Sequence, residues 1–386
     1  MSVRLSAESK PPSPNARVTA LYHAGGSETE ARATAELICL DQTVEASDEI
    51  LTAELRHRIV GRLEDFQPRP TGGYEVRISY AADLIGRHLT DLLNLLFGTS
   101  SLRPGVRLIS WELPDSILPQ WRGPRFGMAG LRELTGIRDR SLVCAVLKPL
   151  GRSPRELADL ATEFVLGGAD LIKDDQGLVD QPFCPFDERV ARCADAVSTA
   201  AAKRGRPCPY LVHVSGPLDV MRTRAALAKK RGAGGLLVAP GLTGFDALRF
   251  LAEDETLALP IASHPALLGS YTIHRDHGIA PAALYGQLPR LAGADLSIYP
   301  GYRTGYAMTR DDCAALARAC RTAWEHVRPM APTAAGRIGT PDIAEFTTFY
   351  GRDVVFILGS RIQADPLGLA AATERFVREL HRCADA

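Results

Sequence analysis

The feature that most constrains the fold is a regular alternation of short apolar segments with amphipathic ones, which starts at Ser141 and continues almost to the last residue. Helical patterns occupy residues 154–166, 186–203, 311–327 and 341–350. Strand patterns occupy residues 142–147, 170–173, 210–214, 235–239, 260–263, 295–298, 332–335 and 354–358. Strands and helices in this number predict an α/β fold with a (β/α)8 TIM barrel. A doubly wound open sheet is the alternative, but no G-x-G-x-x-G motif follows any strand.

The segment before Ser141 has a different pattern. Residues 27–42 form a predicted helix, because Ser27 can cap it and Glu30 stands three residues later. Residues 74–80 alternate apolar and polar side chains, as a half-buried strand does. We therefore expect a loose, disordered tail at residues 1–16, an α+β domain with an antiparallel sheet at residues 17–120, and the barrel with a C-terminal helix at residues 121–386.

Charge and cysteine usage exclude several classes of protein. The formal net charge is +0, so the chain has no electrostatic footprint for nucleic acid or for an acidic membrane surface. The eight cysteines are scattered without a C-x-x-C pair, which argues against a zinc ribbon or a disulfide framework. No apolar run approaches the ~18 residues that a membrane span needs. We expect a cytoplasmic protein with no nucleic-acid or membrane partner.

Residues 167–177, which read GGADLIKDDQG, place charged side chains directly after a short apolar strand. Such a strand in a barrel ends at the mouth where active sites lie. Because side chains alternate along a strand, Lys173 and Asp175 should point one way and Asp174 the other. A surface salt bridge at the strand end is the alternative interpretation.

The positions that follow the other predicted strands also carry chemistry. A lysine there can be poised for proton transfer, and glycine with arginine can hold a phosphate group. Lys148 could instead simply end a strand, His264 could be a satisfied core histidine, and the arginines could be solvated. These positions are Lys148, Lys173 with Asp175 and Gln176, His213 or Ser215, Pro240-Gly241, His264, Tyr299-Pro300, Gly336-Arg337, and Gly359-Ser360-Arg361.

Several motifs, in order along the chain, resemble those of the RuBisCO large-chain family. Residues 147–153, LKPLGRS, are similar to the family's K-P-x-L-G-x-S element, one residue short. Residues 167–175 are similar to its G-G-x-D-x-x-K-D-D element. Residues 123–127 are similar to its G-P-x-F-G element, and Asn94 stands just before Phe97-Gly98 as the family's asparagine does. Residues 242–244 and 276–279 also fit.

The resemblance implies a ferredoxin-like α+β domain, a TIM barrel, and a homodimer with shared active sites or a higher oligomer built from it. Thr43 and Asn94 of one subunit would then act at the partner's site. Lys173 would react with CO₂ to give a carbamate, which with Asp175 and Gln176 would hold Mg²⁺. Lys148 would transfer protons and His264 would line the substrate. Gly336, Arg337, Gly359, Ser360 and Arg361 would bind the substrate and its phosphate.

Departures from the family pattern exclude carboxylation. Gln176 replaces the third metal-binding glutamate, which removes one negative charge and weakens the expected metal site. Pro265 replaces a phosphate-binding arginine, and Ala335 replaces a serine. The N-terminal catalytic glutamate is replaced near residues 40–43. Residues 298–305 lack the loop lysine that stabilises the carboxylation transition state. The chain therefore resembles the RuBisCO-like proteins, and the resemblance implies a reaction that passes through an enediolate.

The resemblance implies a short list of activities. We expect Lys148 to protonate a metal-stabilised enediolate after decarboxylation, or transcarboxylation or hydrolysis, of a 3-oxo-isoapionate 4-phosphate-type β-keto acid. Arg303, Arg337 and Arg361 would suit the extra carboxylate of that phosphorylated sugar acid. The alternatives are an enolase or isomerase of methionine salvage, acting on diketo-methylthiopentyl phosphate or methylthioribulose phosphate, and a non-catalytic dimer that binds a sugar phosphate.

Overall fold

The computed structural model describes residues 16–384, so the predicted tail lies outside the described residues except for Ala16. The strands are β1 Arg17–Ala24, β2 Arg62–Pro68, β3 Tyr74–Ala81, β4 Val106–Glu112, β5 Leu142–Leu147, β6 Leu171–Asp174, β7 Tyr210–His213, β8 Gly235–Val238, β9 Ile261–Ser263, β10 Gly278–Ile279, β11 Leu296–Ser297, β12 Ala331–Ala334 and β13 Val355–Leu358. The helices are α1 Glu28–Asp41, α2 Ala53–Arg58, α3 Leu89–Phe97, α4 Gly127–Thr135, α5 Pro154–Leu166, α6 Phe186–Arg204, α7 Leu218–Lys230, α8 Pro240–Thr243, α9 Phe245–Glu253, α10 Leu288–Leu291, α11 Arg310–Arg321, α12 Ile343–Tyr350, α13 Ser360–Gln363 and α14 Leu369–Ala384.

The first compact unit comprises residues up to Trp121 together with His274–Ala283. Its sheet has the order β10-β4-β1-β3-β2, in which β1 to β4 pair antiparallel and β10 pairs parallel to β4. The capping box predicted at the start of α1 is present, since Ser27 and Glu30 exchange their hydrogen bonds. The N-terminal α+β domain is therefore confirmed, although the predicted boundaries gave all of residues 274–283 to the barrel.

The second unit is a closed barrel with the strand order β5-β6-β7-β8-β9-β11-β12-β13. All its strand pairs are parallel, which confirms the (β/α)8 fold. The barrel interior is filled by apolar side chains from every strand, among them Leu142, Leu171, Leu211, Leu237 and Val355. The barrel is thus a packed core whose chemistry is confined to the ends of the strands.

One helix ends earlier than its pattern predicts. Residues 311–327 were expected to be helical, but α11 ends at Arg321 and Thr322 has extended backbone angles (φ −49°, ψ 136°). The buried Arg290 donates to the carbonyl groups of Ala319, Thr322, Val327 and Arg328. These contacts satisfy the backbone just beyond the helix, and they come from a residue too distant for a local pattern to reveal.

Candidate active site

The strand registers arrange the mouth of the barrel in layers. Lys173 is in the same layer as Leu237, Ile298 and Ile357, one side chain from each alternate strand. His213 and His264 lie in the next layer, with Val146 and Ala335. A single lysine therefore stands beneath two imidazoles in an otherwise apolar setting.

Lys173 is almost completely buried, with 2% of its surface exposed. Its Nζ donates to the backbone carbonyl of Asp174 at 2.8 Å. Burial lowers the pKa of Lys173, and the charge of Lys148 lowers it further, against the opposing effects of Cys144, Asp175 and Asp174. The neutral amine is consequently favoured, which is the nucleophilic form of a lysine.

The two aspartates after Lys173 have different surroundings. Asp174 is fully buried and lies 3.4 Å from Arg189 Nε. It also accepts hydrogen bonds from the Tyr210 hydroxyl at 2.5 Å and from the His213 backbone N–H at 3.0 Å. Asp175 is half-buried and accepts from the backbone N–H of Gly177 at 3.0 Å. Asp174 is thus held by the barrel wall, whereas Asp175 remains available to a ligand.

His264 and His213 are both held in a neutral form. Burial, and then the neighbouring ionisable groups Lys173, His213 and Lys148, lower the pKa of His264 to about 2. Burial also lowers the pKa of His213, which is fully enclosed. Sequence patterns placed either His213 or Ser215 at the mouth, and the Ser215 hydroxyl oxygen accepts a hydrogen bond from the backbone N–H of Ala239 at 2.9 Å.

These depressed histidine pKa values predict a pH-dependent stability. Below about pH 6.5 the unfolded chain protonates His264, whereas the folded chain does not until about pH 2. The free energy of unfolding should therefore fall as the pH drops from 7 to 5, by about 2 kcal/mol for one such histidine. Urea unfolding at both pH values measures this. In His264→Asn, the part of this loss of unfolding free energy that His264 causes should disappear, and the part that His213 causes should remain. An unchanged pH dependence in the variant would show that His264 is not the group responsible.

Lys148 meets the end of β13. A Cβ atom added to Gly359 would lie 2.9 Å from Lys148 Cε and 3.0 Å from Nζ. The ammonium group therefore lies close to the Gly359 backbone, and a larger residue at position 359 would displace the flexible end of the Lys148 side chain. Two of the predicted site residues are brought together here, and Ser360 follows directly as the first residue of α13.

Two of the three arginines at the mouth form ion pairs with acidic side chains. Arg361 donates to Asp342 at 2.7 Å, and Arg303 lies 2.6 Å from Glu345 and 3.3 Å from Asp342. Arg337 differs, because it is exposed, has a positive φ of 52°, and within residues 16–384 has no ion pair to its guanidinium group. Neighbouring Gly336 also has a positive φ, of 98°.

Thr43 and Asn94 belong to the first unit and line one cavity of about 550 Å³ there. The Thr43 hydroxyl donates to the carbonyl of Cys39 at 2.7 Å. Gln42 donates to the carbonyl groups of Asn94 and Leu95 and accepts from the backbone N–H of Ser100. The buried Gln42 thus fixes the walls of a polar cavity that contains both predicted residues.

The donor atoms at the mouth fit Mg²⁺ only after modification. Within residues 16–384, no group of three or more His, Cys, Asp and Glu side chains is arranged to hold a metal ion. Asp175 supplies one carboxylate, and the exposed Gln176 supplies an amide oxygen. A carbamate on Lys173 would add the missing anionic oxygen ligands, and burial favours the neutral amine that reacts with CO₂. In the described region, no helix is long and apolar enough to cross a bilayer.

Comparison with known families identifies the fold and the lineage. Residues 127–383 match the model of the ribulose bisphosphate carboxylase large chain, catalytic domain. The chain belongs to the RuBisCO large-chain family. It is 37% identical over 365 residues to ribulose bisphosphate carboxylase-like protein 1 of Rhodopseudomonas palustris, which covers 94% of this chain and 97% of the relative. As a family member it therefore fits the RuBisCO-like proteins rather than the true carboxylases.

Two further relatives extend this RuBisCO-like assignment. The 5-methylthioribulose-1-phosphate isomerase of Rhodospirillum rubrum is 34% identical over 363 residues, covering 94% of this chain and 95% of the relative. The crystal structure of a Rubisco-like protein from Rhodopseudomonas palustris superposes with a TM-score of 0.87 and 37% identity, covering 95% of this chain and 98% of that one. The likeness extends over both units, not over the barrel alone.

Proposed function

We propose that this RuBisCO-like protein isomerises a phosphorylated ketose, of the 5-methylthioribulose 1-phosphate type, through an enediolate. The observation that carries the proposal is the 34% identity to an isomerase of that substrate over 94% of the chain. The reaction needs a proton removed from a carbon beside the carbonyl group and returned to a neighbouring carbon. Because of this identity, we rank the isomerase of methionine salvage ahead of the decarboxylase.

The residues at the mouth divide the work of such a reaction. Lys148, held against Gly359, moves the proton between the two carbons. His264 is neutral, so it donates a hydrogen bond to the substrate oxygen without adding charge. Carbamylated Lys173, Asp175 and Gln176 would hold Mg²⁺, which would supply positive charge to offset the negative charge that develops on the substrate. Gly336, Arg337, Gly359 and Ser360 hold the phosphate group.

The arginines weaken the case for a β-keto acid substrate. Decarboxylation was expected because three arginines could hold an additional carboxylate. Asp342 and Glu345 neutralise Arg303 and Arg361, which leaves Arg337 as the uncompensated cation of the three. One guanidinium group can hold the phosphate or a carboxylate but is poorly suited to both. Decarboxylation of a 3-oxo-isoapionate 4-phosphate-type acid remains the second candidate, on the strength of Arg337.

Deuterium exchange distinguishes these reactions. In D₂O with Mg²⁺ and bicarbonate, the protein should catalyse the incorporation of deuterium into 5-methylthioribulose 1-phosphate at the carbon beside the carbonyl group. It should release no CO₂. Lys148→Met should lower the exchange rate by about 100-fold or more, whereas the exposed Lys203→Met on α6 should not change it. Release of CO₂ from the β-keto acid phosphate, without exchange into the ketose, would favour the second candidate. No exchange and no CO₂, with ligand-dependent stabilisation alone, would favour the sugar-phosphate-binding dimer.

We further propose that the protein acts as a homodimer in which the partner covers the barrel mouth. Five large apolar side chains in the segments that follow the barrel strands at that mouth are exposed, by 44% to 64% of their surface. Clustered exposed apolar side chains mark interaction sites, and the family resemblance implies a partner subunit that supplies Thr43 and Asn94. The five side chains are Leu150, Phe183, Leu218, Leu242 and Leu267.

Introducing charge at this surface should dissociate the dimer. Leu242→Asp combined with Leu267→Asp should convert the protein to monomers and lower exchange activity by at least about tenfold, because buried unpaired carboxylates are costly at an interface. Sedimentation velocity measures the first effect. Leu166→Asp is the matched control, since Leu166 is 41% exposed at the C-terminal end of α5, away from the mouth. A double variant that stays dimeric would show that another surface joins the subunits.

A further inference from the structure

The ring nitrogens of His213 are in two different environments. Nδ1 lies 3.0 Å from the carbonyl oxygen of Leu178. A carbonyl oxygen can only accept, so Nδ1 carries the proton and Nε2 presents a bare lone pair. Nε2 is buried and has no hydrogen-bond partner within residues 16–384. Leaving a buried acceptor unpaired costs about 1–3 kcal/mol, so an unpaired Nε2 at the barrel mouth requires a reason.

His264 has the opposite arrangement. Its Nδ1 accepts a hydrogen bond from the backbone N–H of Ala266 at 3.2 Å, so Nδ1 carries no proton. The neutral ring must then carry its proton on Nε2. Since His213 and His264 share a layer of the barrel, separated by the single strand β8, one imidazole presents a donor and the other an acceptor to the same space.

This pair matches a carbonyl group with a hydroxyl group on the next carbon. The carbonyl oxygen can accept from His264 Nε2–H, and the hydroxyl can donate to His213 Nε2. Neither ring carries charge, so both contacts are those of a neutral polar group. Nε2 of His213 is shielded from bulk water, so a hydroxyl bonded there does not compete with solvent. A site built around such an acceptor rejects analogues that lack the hydroxyl.

We propose that His213 determines specificity by accepting a hydrogen bond from the substrate hydroxyl beside the carbonyl group, while His264 donates to the carbonyl oxygen. The proposal rests on the proposed function, because it assumes that an α-hydroxy ketone phosphate occupies the barrel mouth. It assigns to His213 a contact with substrate, in addition to the backbone contact with Leu178 that orients the ring.

Binding of two small probes tests the assignment without requiring turnover. Dihydroxyacetone phosphate has the hydroxyl beside the carbonyl, and acetonyl phosphate has a hydrogen in its place. By calorimetry the wild-type protein should bind the first at least about tenfold more tightly. His213→Phe should reduce this ratio to less than about twofold, while His213→Gln, which keeps a neutral acceptor, should retain a larger ratio than His213→Phe. A ratio near one in the wild type, or an unchanged ratio in His213→Phe, would overturn the proposal.

The proton positions give a second readout that needs no variant. Nitrogen-15 chemical shifts of the wild-type protein should show His213 protonated at Nδ1 and His264 protonated at Nε2. The same tautomer in both rings would overturn the proposal even if His213→Phe failed to fold. Failure of the isomerase assay together with the expected probe ratio would reject only the proposed reaction, since the ratio reports recognition of the hydroxyl alone.

Discussion

Replacing Lys173 by methionine is expected to abolish deuterium exchange while it stabilises the fold. Activity should fall about 1,000-fold or more, because this side chain is assigned both the carbamate and the charge that it brings to the enediolate. The free energy of unfolding at pH 7 should rise. The folded-state pKa of Lys173 is depressed, so the folded chain binds fewer protons than the unfolded chain and loses stability as the pH falls below the ordinary lysine range.

Stability and activity therefore move in opposite directions in this variant. Chemical unfolding at pH 7 and pH 10 should show that the gain over wild type shrinks at the higher pH, where the lysine of the unfolded chain begins to lose its proton as well. Lys203→Met, at an exposed position of α6, should change neither quantity. A destabilised Lys173→Met protein would mean that the amine holds the barrel together through its contact with the Asp174 carbonyl.

Neighbouring aspartates should respond differently to the same substitution. Asp174→Asn leaves Arg189 buried without a charged partner and should cost roughly 3–5 kcal/mol of unfolding free energy. Asp175→Asn changes a half-buried side chain whose Oδ1 accepts one backbone hydrogen bond, a contact that an amide oxygen can keep. It should cost less than about 1 kcal/mol and still eliminate exchange activity.

Each aspartate variant is the control for the other. Urea unfolding and deuterium exchange on both proteins, at one pH, would separate a structural carboxylate from a ligand-binding one. Equal losses of stability would show that the alternation of side chains along β6 does not separate the two roles. Full activity in folded Asp175→Asn would remove Asp175 from the proposed metal-binding set.

Side-chain alternation explains why much of the mouth could be predicted from sequence. A strand that ends in Lys173-Asp174-Asp175 has a period of two, and the structure gives Asp174 the partners Arg189 and Tyr210 in the barrel wall. Once the barrel fold is known, the layers of inward-pointing side chains that alternate strands contribute can be predicted as well. Local pattern and fold agree here because strand alternation sets the direction of each side chain, whichever distant residues become its partners.

Contacts between distant side chains could not be predicted. Arg361 pairs with Asp342, which is 19 residues away in the sequence, and no local sequence pattern indicates this pairing. Nor does the residue type of His213 reveal its tautomer, which the Leu178 carbonyl imposes from 35 residues away. The sequence did not predict the edge strand β2 either. Its residues are exposed or half-buried on both faces, so apolar and polar side chains do not alternate along it.

The order of synthesis bears on how the first unit is completed. Strand β10 lies beside β4 and pairs with it through Gly278 and Ile279, yet it is encoded after β5 to β9 of the barrel. As the chain leaves the ribosome, the open edge of β4 must wait for this late strand, and an uncovered sheet edge is prone to pair with another chain. The N-terminal sheet therefore cannot finish folding before most of the barrel has been made, which ties the maturation of the two units to a single event.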